Sequence, residues 1–408
     1  MENELNGYHE YSSPKVSGFD RRAFLKLASA ASAAALLPER VWADGAATSQ
    51  PAAAAQQLVR FPEKTDLILL TDRPPQLETP LKYFKTDLTP NDAMFVRWHL
   101  SGIPTSVNLG TFRLGVAGHV EKPLKLSMAD LKKFEPVSVV AVNQCSGNSR
   151  ALFQPRVPGG QWQNGAMGNA RWTGVRLRDL LSAAKVKAGA VEVSFQGLDR
   201  PALPATPAFI KALAFDRAND GEVLVAYAMN DEPLPMLNGF PLRLIVPGWF
   251  ATYWVKALNE INVLDQKFKG FWMDKAYRVP NNRECQESPK ELAKVTVPIS
   301  KMLVRAVFAN EPGEHTQEVE GIAFDGGSGI KQVDISVDGG MTWSPAALGK
   351  DLGKYSWRRW KFALPQVAFA SVMARATNNA GETQPATPKW NRGGYARNVI
   401  EKIDVRVR

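Results

Sequence analysis

The 408-residue chain is 45% hydrophobic and 22% charged, values that exclude intrinsic disorder, collagen and a charge-driven tail protein. Its 50 Lys and Arg against 40 Asp and Glu leave a formal charge of +10, which favours anionic partners. No Lys/Arg run of five or more occurs, so a nucleic-acid footprint is unsupported and no nucleic-acid partner is expected. Only two cysteines are present, Cys145 and Cys285, so a disulfide scaffold, a four-cysteine zinc site and an iron–sulfur cluster held by this chain are excluded. C-x-x-C-H is absent, so no c-type haem is attached covalently, and no haem is expected on this chain. The length favours two folded domains.

The chain opens with an address. Residues 20–44 read DRRAFLKLASAASAAALLPERVWAD, with paired Arg21 and Arg22, then an apolar stretch from Leu27 to Leu37. That stretch is too short to span a bilayer, and Val41 and Ala43 suit the −3 and −1 sites of a signal peptidase, so no stable membrane anchor is expected. R-R-x-F-L-K resembles a twin-arginine export signal, which carries folded, cofactor-loaded proteins. The sequence predicts a signal peptide over 1–43, the twin-arginine machinery as a partner and a periplasmic destination. A flexible linker is expected over 44–66, rich in Ala, Ser, Gln and Gly.

A mixed region follows, over 67–290. β-like runs (Phe112–Val116, Val137–Val142, Val191–Phe195, Leu242–Val246) alternate with helix-like ones (Met128–Phe134, Leu177–Ala184, Pro207–Leu213). The Gly/Pro/Asn-rich stretch 143–175 is long for a compact domain and reads as functional. No G-x-G-x-x-G or Walker sequence opens a helix. From 291 to 408 the pattern is strands and turns: Val319–Phe324, Gln332–Ser336, Trp357–Leu364 and Val367–Ala376, with Asp338-Gly339-Gly340 as a tight hairpin turn. The predicted fold class is α+β: a mixed α/β domain followed by an immunoglobulin-like β-sandwich.

Cys145 follows the apolar run Pro136–Val142 and enters a polar turn, Cys145-Ser146-Gly147-Asn148-Ser149-Arg150. A lone cysteine is usually an inert core residue, but small polar neighbours and Arg150 favour a thiolate here. A thiolate serves as nucleophile or as soft metal ligand. A Cys–His hydrolase would need a base from among His99, His119 and His315, with His9 in the leader. As a metal site it has one ligand, so the others would come from a cofactor.

CSGNSR, followed by PRVPGGQWQNGAMGNARWTGVRLRDLL, resembles the sulfite oxidase family of molybdenum enzymes, most closely its bacterial periplasmic sulfite dehydrogenases. Later segments agree in order and spacing: GLD at 197–199, NGFPLRLIVPG at 238–248, TYWVK at 252–256, FWMDKAYRVP at 271–280 and WNRGG at 390–394. The resemblance implies molybdenum bound by Cys145, with the dithiolene of one molybdopterin and two oxygen ligands completing the site. It implies a substrate pocket of Arg97, Arg150, Trp162 and Tyr277, with Arg392 lent by the second domain. His99, Asp199, Asn238, Arg243 and Lys256 fall on cofactor-binding positions. Asn238 stands where animal-type members carry a histidine, and Ser149 where they carry a second arginine.

The physics of these residue types agrees, since guanidinium forks suit small tetrahedral oxyanions. Each has a bland counterpart: a surface salt bridge for any one arginine, a buried core ring for Tyr277 or His99, a snorkelling side chain for Lys256. The implied function is oxidation of sulfite to sulfate with electrons passed singly to a separate cytochrome c. The second domain would mediate a homodimer. The rivals are a sister enzyme acting on another small sulfur compound (a sulfoxide reductase or a sulfur dehydrogenase of a thiosulfate pathway) and a non-enzymatic exported binding module. Cys285 has no assignable role.

Overall fold

The computed structural model of the protein describes residues 57–366 and 369–407. The signal peptide expected over 1–43, and the linker as far as residue 56, lie outside the described residues. The end of that expected linker is not loose. Leu58–Arg60 is a strand paired with Asp66–Thr71, and the sheet continues through Gln76–Glu78 to Val96–Arg97. Apolar side chains at alternate positions explain this arm: Leu67, Leu77, Val96 and Trp98 form a small buried core with Ala257, and Val59 and Phe61 pack onto it.

Two five-stranded sheets make up the mixed region. One runs in the order Ile210–Ala214, Glu192–Gly197, Leu258–Leu264, Leu114–Gly118, Leu124–Leu126, with a single parallel pair between Leu258–Leu264 and Leu114–Gly118. The other joins Val137–Gln144 to Met167–Arg176 over eight paired positions, then to Leu224–Met229, which also pairs with Arg243–Ile245. The helix Leu177–Ala184 forms where expected. It buries Leu177, Leu180, Leu181 and Ala184, an i, i+3, i+4, i+7 stripe, and ends on Lys185 in a left-handed conformation with φ +54°. Ser127 caps the helix Met128–Leu131 with a reciprocal capping box to Asp130.

One predicted element changes type. Pro207–Leu213 reads as helical, but Ile210–Ala214 is an edge strand antiparallel to Glu192–Gly197. Periodicity cannot separate a short apolar strand from a helical turn, and here pairing with the neighbouring strand decides. The helical signal belongs to the next residues, Phe215–Ala218.

The last region is a β-sandwich, as expected. One sheet orders Arg305–Phe308, Glu318–Phe324, Arg358–Ala363, Ala347–Leu348; the other orders Ser344–Pro345, Ile330–Ser336, Phe369–Asn378, Glu401–Arg406. Val319, Ala323 and Trp360 of the first face Val333, Val372 and Ala374 of the second in one buried core. Gly339 and Gly340 take φ +77° and +92° in the hairpin, which side chains with a Cβ resist. Among the described residues no helix is long and apolar enough to cross a membrane.

Candidate active site

Four chain segments converge on a small cavity. Strand Val137–Gln144 ends at Cys145, which is buried and lines the cavity with Ser146. Strand Val96–Arg97 delivers Arg97, and His99 follows two residues later on the same side. The turn Met236–Asn238 and the strand Arg243–Ile245 contribute Asn238 and Arg243; Lys256 enters ahead of the strand Leu258–Leu264. Tyr277 completes the wall from just before Arg278–Pro280. Seven of the eleven residues singled out from sequence therefore meet in one cavity: Arg97, His99, Cys145, Asn238, Arg243, Lys256 and Tyr277.

A polar cluster sits at one side. His99 Nε2 lies 2.6 Å from Tyr277 Oη, and Arg97 Nη2 donates to the same oxygen at 3.4 Å. Burial, reinforced by Arg97, Lys256 and Lys211, holds His99 well below its ordinary pKa, so the ring is neutral. With Arg97 as donor, the hydroxyl is free to donate to His99 Nε2, which satisfies all three groups. Burial pushes the Tyr277 phenol up, so it remains a proton-bearing donor. Tyr277 holds φ +57°, an unfavourable conformation for an aromatic residue. An aromatic shell fixes it: Tyr395 stacks on Tyr277 at 5.5 Å, and Phe209 stacks on His99 at 3.7 Å.

The other side is cationic. Arg243 is buried between the faces of Trp172 and Trp254 and donates to Asn238 O and Asn143 Oδ1, each at 3.1 Å. Burial brings its pKa down to about 9. Lys256 Nζ lies 4.8 Å from the Trp98 ring centroid; burial and Arg243 lower its pKa, while Asp199 opposes. Three buried polar atoms on this cavity have no protein partner: Ser146 Oγ, Thr252 Oγ1 and Arg243 Nε.

Four expected residues stand elsewhere. Asp199 lies outside the lining and acts on it through the charge of Lys256. Trp162 is buried behind the wall, edge-on to Phe95 at 6.5 Å. Arg150 is a strut: it donates to Gly393 O at 3.2 and 3.1 Å and to Gly160 O at 3.2 Å, with Tyr395 beneath it at 5.1 Å. Gly147 and Gly159 make room, since a Cβ on either would come within 3 Å of that guanidinium. Arg392 is not lent to the cavity. Its Nε and Nη2 grip Glu287 at 2.9 and 2.6 Å, which holds that carboxyl down to about 2. The sandwich instead supports the wall from behind, with the Gly393 carbonyl on Arg150 and the Tyr395 ring on Tyr277; the sequence reading missed both, although Gly393 lies within WNRGG and Tyr395 directly follows it. Ser146 and Thr252 were equally missed, despite lying inside the quoted motifs.

Two family models match the chain: the oxidoreductase molybdopterin binding domain over residues 100–272 and the Mo-co oxidoreductase dimerisation domain over 293–408. Mitochondrial sulfite oxidase of Homo sapiens is 32% identical over 402 residues, covering 91% of this chain and 70% of that protein. Sulfite oxidase of Arabidopsis thaliana is 29% identical over 350 residues, covering 78% and 88%. The crystal structure of the sulfane dehydrogenase SoxCD from Paracoccus pantotrophus superposes with a TM-score of 0.71 over 91% of this chain and 93% of that one; at 23% identity this shows a common fold. With a single buried cysteine facing a cationic cavity, these matches make the chain a member of the sulfite oxidase-like family of molybdopterin-dependent oxidoreductases.

Proposed function

We propose that the protein performs redox chemistry on a small sulfur compound bound between Cys145 and the Arg97–His99–Tyr277 cluster. The observation that carries this reading is the convergence of that thiol, that hydrogen-bonded cluster and a separate cationic wall on one cavity. The residues fit a molybdopterin-bound metal. Among the described residues no group of three or more His, Cys, Asp or Glu is placed to hold a metal ion, so a metal on Cys145 takes its other ligands from a cofactor. The unpartnered Ser146, Thr252 and Arg243 atoms, with the Lys256 and Arg243 charges, suit a polar, anionic group.

Cys145 would hold the metal, with Arg243 and Lys256 holding the anionic part of the pterin. When bound, this group supplies oxygen-atom and electron transfer at a sulfur atom. The chain's own part is electrostatic and positional. Arg97 attracts and orients an anionic substrate, while neutral His99, accepting the phenolic proton, holds Tyr277 Oη in place beside it. Phe95 and Leu237 help to wall the cavity from bulk water.

Sulfite, oxidised to sulfate with electrons leaving singly to a separate cytochrome c, is one specific substrate under this reading. A second is favoured by the arginines: of Arg97, Arg150 and Arg392, only Arg97 lines the cavity. That wall suits a compound with less oxyanion charge, such as a sulfane sulfur or a sulfoxide. Assays of the molybdenum-loaded protein with sulfite, thiosulfate and dimethyl sulfoxide, using cytochrome c and an artificial dye, discriminate these. Turnover of at least one is expected, and inertness toward all three in fully loaded protein would sink the reading. The same proposal includes periplasmic export through the Arg21-Arg22 signal and a homodimer formed through residues 293–408.

A further inference from the structure

The N-terminal arm lies before both regions that match family models, which begin at residue 100. It nevertheless reaches the cavity wall. Val59 and Phe61 pack on the small core of Trp98 and Ala257 together with Leu237, itself a cavity residue. The Glu63 carboxylate accepts the Met236 N–H at 2.7 Å, so the turn Met236–Asn238 is held from outside.

Lys64 goes further in. It is 5% exposed, and its ammonium donates to Asn91 O at 2.8 Å, to Met94 O at 3.1 Å and to Asn238 Oδ1. Asn238 Nδ2 in turn donates to Phe95 O at 3.1 Å, and Asn238 O accepts from Arg243. Both polar atoms of the Asn238 side chain are thus used inside the protein. Asn238 is a fixed plate in the cavity wall, and Arg243 hangs from its carbonyl. Lys64 is the cation behind that plate. Keeping it there is costly: burial takes its pKa down to about 7, and Arg243 adds repulsion that Asp92 and Glu63 partly offset. An anion in the cavity attracts Lys64, Arg243 and Lys256 together, so the strain falls when the site is filled.

We propose that Lys64 is a cofactor-retaining residue: it locks the Asn238 turn and adds positive charge behind it, so that the N-terminal arm closes the molybdopterin site. This rests on the molybdopterin reading above. It is a positioning role, exercised through Asn238 and Arg243.

The test compares purified, cofactor-loaded wild type with Lys64→Met and Lys64→Gln. Molybdenum per chain and the fluorescence of released pterin are followed during incubation after gel filtration. Melting temperatures are recorded for the loaded and cofactor-free forms of each. Both variants are expected to lose cofactor tenfold faster or more, and to narrow the melting gap between loaded and cofactor-free protein, with the cofactor-free form as stable as wild type or more so. Wild-type cofactor lifetimes with both forms destabilised equally, or failure of both variants to fold, would make Lys64 scaffold and overturn the proposal. Wild type isolated without pterin or molybdenum under loading conditions would instead overturn the cofactor reading, and this inference with it.

Discussion

Cys145 and Arg150 are five residues apart, yet their environments assign them different work. Cys145 faces the cavity, and its main-chain N–H is already satisfied by Ala166 O at 2.9 Å, so the side chain is not needed to hold the turn. Cys145→Ser should leave the melt of the cofactor-free protein nearly unchanged while abolishing turnover, because a hydroxyl is a harder and more basic ligand than a thiolate. Wild-type activity in that variant would remove Cys145 from the metal. Arg150 spends its guanidinium on the backbone carbonyls of Gly393 and Gly160, whereas Arg97 lines the cavity. Arg97→Gln should therefore raise KM for an anionic substrate, tenfold for each ~1.4 kcal/mol of binding removed. Arg150→Gln should act mainly on stability, by about 2 kcal/mol for charged hydrogen bonds left unpaired. Kinetics and thermal melts on the same samples decide, and a larger KM effect at Arg150 than at Arg97 would return Arg150 to the substrate.

At the level of elements, the Arg392–Glu287 pair ties the loop after Arg278–Pro280 to the end of the sandwich. Glu287 is held at about 2 by Arg392, below the ordinary 4.5. A depressed carboxylate stabilises the fold above its unfolded value and loses that contribution as pH falls from about 4.5 to about 2. The melting temperature of wild type should fall across this window, and Arg392→Gln should flatten that fall while leaving KM alone. A raised KM would place Arg392 at the substrate after all. The difference between the expected and the observed place of Arg392 has a physical reason. Motif register brings WNRGG to the right place but cannot say which of its residues faces inward, and a nearby carboxylate decided that for Arg392. Strand Val137–Gln144 was legible because β-branched residues run into a polar turn; Ile210–Ala214 was not, because five apolar-rich residues carry no period until a neighbour pairs with them. Lys64 was illegible for another reason. It lies in a polar stretch of linker-like text, and only the fold shows that its ammonium is buried against Asn238.

On the scale of the whole molecule, the two regions share buried chemistry. Arg305 of the sandwich is 1% exposed and donates to Ser149 Oγ, Asn164 Oδ1 and Glu401 Oε1 at 2.8, 2.9 and 2.6 Å. Ser149 immediately precedes the Arg150 strut, so the loop that carries Cys145 is completed only when the sandwich is docked on it. A site assembled from the arm, the mixed region and the sandwich cannot be threaded through a membrane as an unfolded chain and keep a cofactor inserted beforehand. That requirement agrees with the proposed twin-arginine route, whose signal lies outside the described residues. Arg21→Lys together with Arg22→Lys keeps the positive charge and removes the arginine pair that the pathway reads. The double variant should accumulate in the cytoplasm, folded and with molybdenum content equal to wild type, and be depleted from the periplasmic fraction. Cell fractionation with metal analysis of each pool measures this. Undiminished periplasmic recovery of the loaded variant would mean that the arginine pair is not the export determinant. Periplasmic protein that arrives without molybdenum would point to unfolded-chain secretion, with cofactor insertion and arm closure left to follow export.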